Sequence, residues 1–263
     1  MRKKSWITIL VGTLATGLVG ANANAALIDV GDHLTVSGTI SSQDQGSANI
    51  GYVQYGGGQA ENCYAGAFAL GVHNLSQNTY FTIGTFCTDV GVNWKNTDNY
   101  TAYSFGGQTG INPNWSASPQ AIQNASWLYN TYFVGHALDA SHDAGMQLAI
   151  WKVLYDTSSA GTLLSTDFSS GKFKAWSFGS AAMADALTYI NAVNSARSGG
   201  TFITYTDTWL KPDDNNSQGL IWNADTPGAL VSTPEPTTII AGSVLLLPFA
   251  GSILRILRRN RSR

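Results

Sequence analysis

Each end of this chain is an apolar stretch set against a cluster of basic residues, and membranes rather than protein cores take up such stretches. At the N terminus Arg2, Lys3 and Lys4 precede the mostly apolar run from Trp6 to Val19. Ala23-Asn24-Ala25 then supplies the small-x-small site that a signal peptidase cuts. Residues 1–25 therefore read as a cleaved secretory signal peptide. At the other end, Thr237 to Leu254 carries no charge over 18 residues. As a helix rising about 1.5 Å per residue it spans roughly 27 Å, close to the hydrocarbon thickness of a bilayer. Arg255, Arg258, Arg259, Arg261 and Arg263 follow. Positive flanks stay in the cytoplasm, so residues 237–254 read as a transmembrane helix with the body of the protein on the far side.

The ends also distort the charge. The whole chain has a net charge of −2, but eight of its 14 basic residues lie in the two terminal segments. Residues 26–233 hold 6 basic and 15 acidic residues, a net charge of −9. A surface so balanced repels phosphate, which argues against a nucleic-acid partner. Few charges, 28 glycines and abundant Asn, Ser and Thr suit an exported, strand-rich protein.

Pro234-Glu235-Pro236, the apolar span and the arginine cluster, in that order, resemble the PEP-CTERM sorting signal of bacterial proteins. The resemblance covers residues 234–263. It implies processing by an exosortase-type transpeptidase, a Gram-negative cell envelope and a surface or matrix built with exopolysaccharide. Two prolines keep the strip extended and accessible at the membrane surface.

Residues 26–226 form the extracytoplasmic body, joined to the tail by a linker at 227–233. Leu34-Thr-Val-Ser-Gly-Thr-Ile40 alternates apolar and polar residues, the mark of a half-buried strand. Residues 50–55, 67–72, 80–88 and 201–210 also read as strands, being rich in aromatic and β-branched residues. Three helices are expected. One starts at Ser118-Pro119 and turns Ile122, Ala125 and Tyr129 to one face. The second runs from about Asp143 to Tyr155. The third runs from about Ser180 to Ala196, with Met183, Leu187 and Ile190 inward and Gly199-Gly200 as its stop. The expected class is α+β, with a strand-rich N-terminal half forming an antiparallel, sandwich-like sheet and a helical subdomain at about 118–196.

Cys63 and Cys87 are the only cysteines. In an exported chain they pair by default, and the disulfide would close a loop of about 24 residues, stabilising by roughly 3 kcal/mol. Gln147 points to different chemistry. With Ile150, Trp151 and Leu154 it falls at i, i+3, i+4 and i+7, in the middle of an apolar stripe. A buried primary amide is costly unless its hydrogen bonds are met, commonly by backbone. The alternative is that a cysteine thiolate attacks the side-chain carbonyl and expels ammonia. An internal thioester results, apolar enough for a core and activated toward nucleophiles.

Phe86-Cys87-Thr88-Asp89 and Gln147-Leu148-Ala149-Ile150-Trp151 resemble the paired motifs of the thioester domains of bacterial surface adhesins. Residues 125–130 resemble the helix between them, so the resemblance covers roughly 80–156. It implies that Cys87 supplies the thiol, Gln147 the acyl group and Trp151 a packing aromatic; by the chemistry of an activated acyl group, surface amines or hydroxyls are the expected acceptors. Both the thioester and the Cys63–Cys87 disulfide remain open. The second class of function is a structural or carbohydrate-binding matrix protein without covalent chemistry.

His136, Asp139, His142 and Asp143 are close in sequence, but their spacing fits no metal motif, and Asp143 serves equally as a charge at a helix start. His142, five residues before Gln147, is a candidate base for acyl transfer. Asp213 to Asn216 reads as a turn rather than a calcium loop. Exposed tryptophans can stack on sugars, though Trp94 and Trp127 also suit a core. No nucleophile elbow, zinc motif or phosphate loop is present, so the chain is not expected to be an enzyme or to carry a cofactor.

Overall fold

The computed structural model describes residues 27–40, 49–104, 117–134, 139–205, 207–214 and 217–223. The expected signal peptide, the Pro234-Glu235-Pro236 motif, the expected transmembrane span and His136 lie outside the described residues. Among the described residues no helix is long and apolar enough to cross a membrane.

The fold is α+β with antiparallel sheets. Six strands form the main sheet: β1 (His33–Ile40), β4 (Phe68–Asn74), β5 (Thr79–Cys87), β6 (Thr97–Ser104), β8 (Thr208–Pro212) and β9 (Leu220–Trp222). Their order is β1-β4-β5-β9-β8-β6, and β6 pairs back onto β1. The sandwich-like arrangement expected from sequence is thus replaced by a closed barrel. Closure leaves no open edge in this sheet, and twisted strands permit it. Buried residues alternate along the strands, as with Leu34 and Val36 on β1, Leu70 and Val72 on β4, and Tyr100 and Ala102 on β6.

A second sheet has β2 (Ile50–Tyr55) between β3 (Glu61–Tyr64) and β7 (Phe173–Trp176). Its inner face carries Val53, Phe173 and Ala175, all buried.

Three helices lie with these sheets. Helix α1 (Pro119–Leu128) is capped by the Ser118 hydroxyl, which accepts from the Ala121 N–H at 3.1 Å. A π-helical turn, Tyr129–Phe133, continues it. Helix α2 (Ala140–Asp156) starts earlier than expected, because Asp139 rather than Asp143 is its cap. Asp143 is itself buried. Helix α3 (Ser180–Ser198) follows β7.

The buried face of α3 is Ala182, Ala186, Tyr189, Ile190, Val193 and Ala196. Of the expected inward stripe only Ile190 is buried, while Met183 is half-buried and Leu187 exposed. The reason is close helix packing. A Cβ on Gly145 of α2 would stand 2.7 Å from the Asp185 Cβ and 2.9 Å from the Ala186 nitrogen. Small residues at this crossing, not the larger apolar ones, face the partner helix. The expected strand at 201–210 is also shorter, beginning only at Thr208.

Candidate functional site

Strand β5 outlasts its neighbour. Pairing with β4 stops at Phe68 opposite Thr85, whereas β9 pairs on the other side with Phe86 and Cys87. Backbone groups alternate in direction along a strand, so the N–H and C=O of Cys87 face the side that β4 has vacated. Buried, they need partners. Gln147 of α2 supplies both. Its Oε1 accepts from the Cys87 N–H at 2.9 Å, and its Nε2 donates to the Cys87 carbonyl at 2.8 Å. One carboxamide thereby imitates the missing strand, and it explains why a polar side chain sits in an apolar stripe. Gln147, Ile150, Trp151 and Leu154 are all buried.

The structure therefore brings Cys87, Gln147 and Trp151 together across about sixty positions of sequence. All three line a cavity of about 240 Å³, together with Cys63, Glu61 and Asp89. Both cysteines are free thiols. Cys63 is half-buried on β3, while Cys87 is buried. Both thiols line one cavity, and no bond joins them here.

The electrostatics oppose a free thiolate. Burial pushes the Cys87 thiol well above its ordinary value, and the Asp89 charge adds to this. The thiol donates to the Asp89 carbonyl at 3.0 Å. The Trp151 indole, whose N–H has no conventional hydrogen-bond partner, lies where it favours the sulfur's charge, but only as a smaller effect. Cys63 is pushed up to about 12, first by burial and then by the neighbouring Glu61 carboxylate. Neither sulfur is a ready nucleophile toward external reagents.

Asp89 is held by the returning strands. Its Oδ2 accepts from the Gly219 N–H at 2.6 Å, and the Thr88 N–H donates to the Gly219 carbonyl at 2.8 Å. The Val90 N–H donates to the Tyr155 hydroxyl at 2.9 Å. Phe86 packs edge-on against Phe133 of the π-helical turn at 4.7 Å.

The other candidates fall elsewhere. His142 lies at the start of α2, bonded to Asp139 at 2.9 Å, and does not line the Cys87 cavity. A role as base for Cys87 and Gln147 is therefore withdrawn. Among the described residues no group of three His, Cys, Asp or Glu is arranged to hold a metal. Asp213 and Asp214 form a turn; Asp213 accepts from Thr101, and Asp214 pairs with Lys95 at 2.6 Å. Trp127 is buried and Trp94 half-buried. Sequence reasoning passed over Glu61 and Gln218 as parts of the cavity wall. The available signal was that Glu61 stands two residues from Cys63, on the same side of a strand.

No protein-family model matches the sequence, and neither does any curated protein. Weak likenesses to solved structures exist. The N-terminal domain of the Streptococcus pyogenes pilus tip adhesin Cpa is 13% identical, over 72% of this chain and 98% of that one, with a TM-score of 0.37. The N-terminal thioester domain of a surface protein from Clostridium perfringens is 14% identical, over 73% and 98%, with a TM-score of 0.38. Likenesses of this strength carry no conclusion about fold or chemistry.

Proposed function

We propose that this chain is an exported bacterial surface protein whose body attaches covalently through an internal thioester between Cys87 and Gln147. The observation that carries the reading is the seating of the Gln147 carboxamide on the backbone of Cys87, in a buried wall shared with a cavity. In the first step the Cys87 sulfur bonds to the Gln147 side-chain carbon. The carbon–nitrogen bond breaks, and ammonia leaves with the thiol proton. In the second step a primary amine attacks the same carbon, an amide forms, and the Cys87 thiol is regenerated with a proton from the amine. A neutral thioester suits a site that disfavours the thiolate so strongly.

The second reading is a protein without acyl chemistry, in which Gln147 remains an amide and Cys63 pairs with Cys87. Its supporting observation is that both thiols line one cavity while the carboxamide is already satisfied. Mass spectrometry of peptides from the purified chain separates the two. The thioester lowers the mass by one ammonia, and methylamine then adds at Gln147. The disulfide lowers it by two hydrogens. Full mass with both thiols open to alkylation after denaturation defeats both.

We further propose that residues 234–263 route the protein through an exosortase-type transpeptidase to the cell surface or extracellular matrix of a Gram-negative bacterium. Replacing Glu235 and Arg258-Arg259 is expected to leave export intact but hold the protein at the membrane. Normal release of that variant defeats the sorting reading.

A further inference from the structure

The outer face of the β3-β2-β7 sheet has an unusual make-up for a body with a net charge of −9. Pairing sets Tyr52 opposite Trp176 and Asn62, Ile50 opposite Tyr64, and Gln54 opposite Lys174. Residues two apart share a face, so Asn62, Tyr52 and Trp176 form one row across the three strands, and Tyr64 stands on the same face diagonally beside Tyr52, opposite Ile50. The three aromatic side chains, Tyr64, Tyr52 and Trp176, are exposed, at 45%, 43% and 39%. The Tyr52 and Trp176 rings are 5.9 Å apart and within 15° of parallel.

Lys172 and Lys174 share this alternation with Trp176, lying outward while Phe173 and Ala175 are buried. They are two of only six basic residues in residues 26–233. Of the other four, Lys152 is buried against Asp156, Lys95 is paired with Asp98 and Asp214, Arg197 is bonded to Asn124, and Lys211 is half-buried on β8 of the barrel, in the other sheet. Lys172 and Lys174 have no carboxylate partner among the described residues. Beside Trp176 and Lys174 the surface sinks into a groove of about 580 Å³, walled by Ser177, Met183 and Leu187. Its one acidic side chain, Asp167, is occupied by Ser169 and Ser170 hydroxyls and N–H groups.

We infer that this face binds an anionic polysaccharide, with sugar rings stacked on Tyr52 and Trp176 and their carboxylates met by Lys172 and Lys174. The three strands lie about 4.8 Å apart, so the row covers roughly 10 Å, the length of a short oligosaccharide. Aromatic faces receive the apolar faces of pyranose rings, while the Asn62 amide ends the row and Gln54 stands next to it, both offering hydrogen-bonding groups. Charge complementarity selects the acidic polymer. The rest of the body is acidic on balance and repels it, so attraction centres on the patch where two cations stand on one face without a carboxylate partner. The inference stands whether or not Cys87 and Gln147 are joined, because Glu61 and Cys63 take the opposite side of the same sheet.

Affinity electrophoresis of the full chain tests it, with polygalacturonate in the gel and dextran as the neutral control. Polygalacturonate is expected to retard the protein and dextran not to. Trp176→Ala should weaken retardation about tenfold, the worth of one stacked ring. Trp176 is exposed, and an unchanged thermal midpoint verifies the fold of the variant. Lys172→Gln with Lys174→Gln should also weaken binding and flatten its dependence on salt. Equal retardation by dextran, full displacement by polyglutamate, no retardation at all, or wild-type behaviour of both variants each overturns the inference.

Discussion

At the scale of single residues, the ion pair of Lys152 and Asp156 shows how tightly the region behind the site is built. Both side chains are fully buried, one turn apart on α2, at 2.5 Å. The ammonium spends its remaining donors on the Ser170 and Phe173 carbonyls, at 2.8 and 3.0 Å. The carboxylate accepts from the Lys172 N–H at 2.5 Å. Gly171, with φ +89, lets the loop pass so close that a Cβ there would stand 2.2 Å from the carboxylate. The pair therefore clamps the entry of β7 to α2. Removing one partner leaves a bare charge in the core, so Lys152→Met should cost about 3–5 kcal/mol, whereas Lys152→Met with Asp156→Leu should recover much of the loss. Urea unfolding of the two variants measures this. If the double variant is no more stable than the single, backbone anchoring rather than the stranded charge sets the cost. In sequence, the i, i+4 spacing of these residues is indistinguishable from a surface ion pair. Gln147 was legible for the opposite reason: an amide in the middle of an apolar stripe demands a partner, and the partner is the backbone of the very cysteine singled out by its motif.

At the scale of elements, what could be read depended on how much of the signal was local. Helix α1 was legible because Ser118-Pro119 is a cap written in consecutive residues, and α2 because Ile150, Trp151 and Leu154 repeat at helical spacing. The start of α2 was misplaced because Asp139 and Asp143 both suit a helix N-terminus, and only the N–H groups of Ser141 and His142 decide between them. Strand β1 was found because it alternates apolar and polar residues, and β2, β4 and β5 because they are rich in aromatic and β-branched ones. Strands β3, β6, β7 and β9 were not. Glu61–Tyr64 is short and mostly polar, Thr97–Ser104 reads as a polar loop, and Leu220–Trp222 has only three residues. Each exists because a neighbouring strand offers it a ladder, which is information held elsewhere in the chain. The α3 face was misread because size-weighted apolarity favours Met183 and Leu187, while the crossing with α2 selects alanine.

At the scale of the whole molecule, closure of the barrel links the last described strands to the site. Strands β8 and β9 close the barrel between β6 and β5, and the ladder between β9 and β5 is short, pairing Phe86 and Cys87, with the Thr85 hydroxyl donating to the Ile221 carbonyl beside it. The seam ends at Gly219, whose N–H and C=O reach Asp89 and Thr88 directly beyond Cys87. A Cβ on Gly219 would stand 2.7 Å from the Thr88 Oγ1, 2.7 Å from the Trp209 Nε1 and 2.8 Å from the Asp89 Oδ2. These three residues are buried, so none can swing into solvent. Gly219→Ala should therefore force the seam apart rather than be absorbed, at a cost of about 1–3 kcal/mol from overpacking. The loss should be local before it is global. Amide hydrogen exchange at residues 86–89 and 220–222 is expected to quicken while the α2 and α3 amides keep their protection, because opening one seam need not unpack the helices. Uniform loss of protection across sheets and helices would show that the barrel and helices open as one unit. Unchanged exchange at residues 86–89 would show that β9 does not hold the cysteine in place. The first outcome matters for the proposed chemistry, because a seam that opens beside Cys87 is a route by which a nucleophile reaches a carbon buried in the closed molecule.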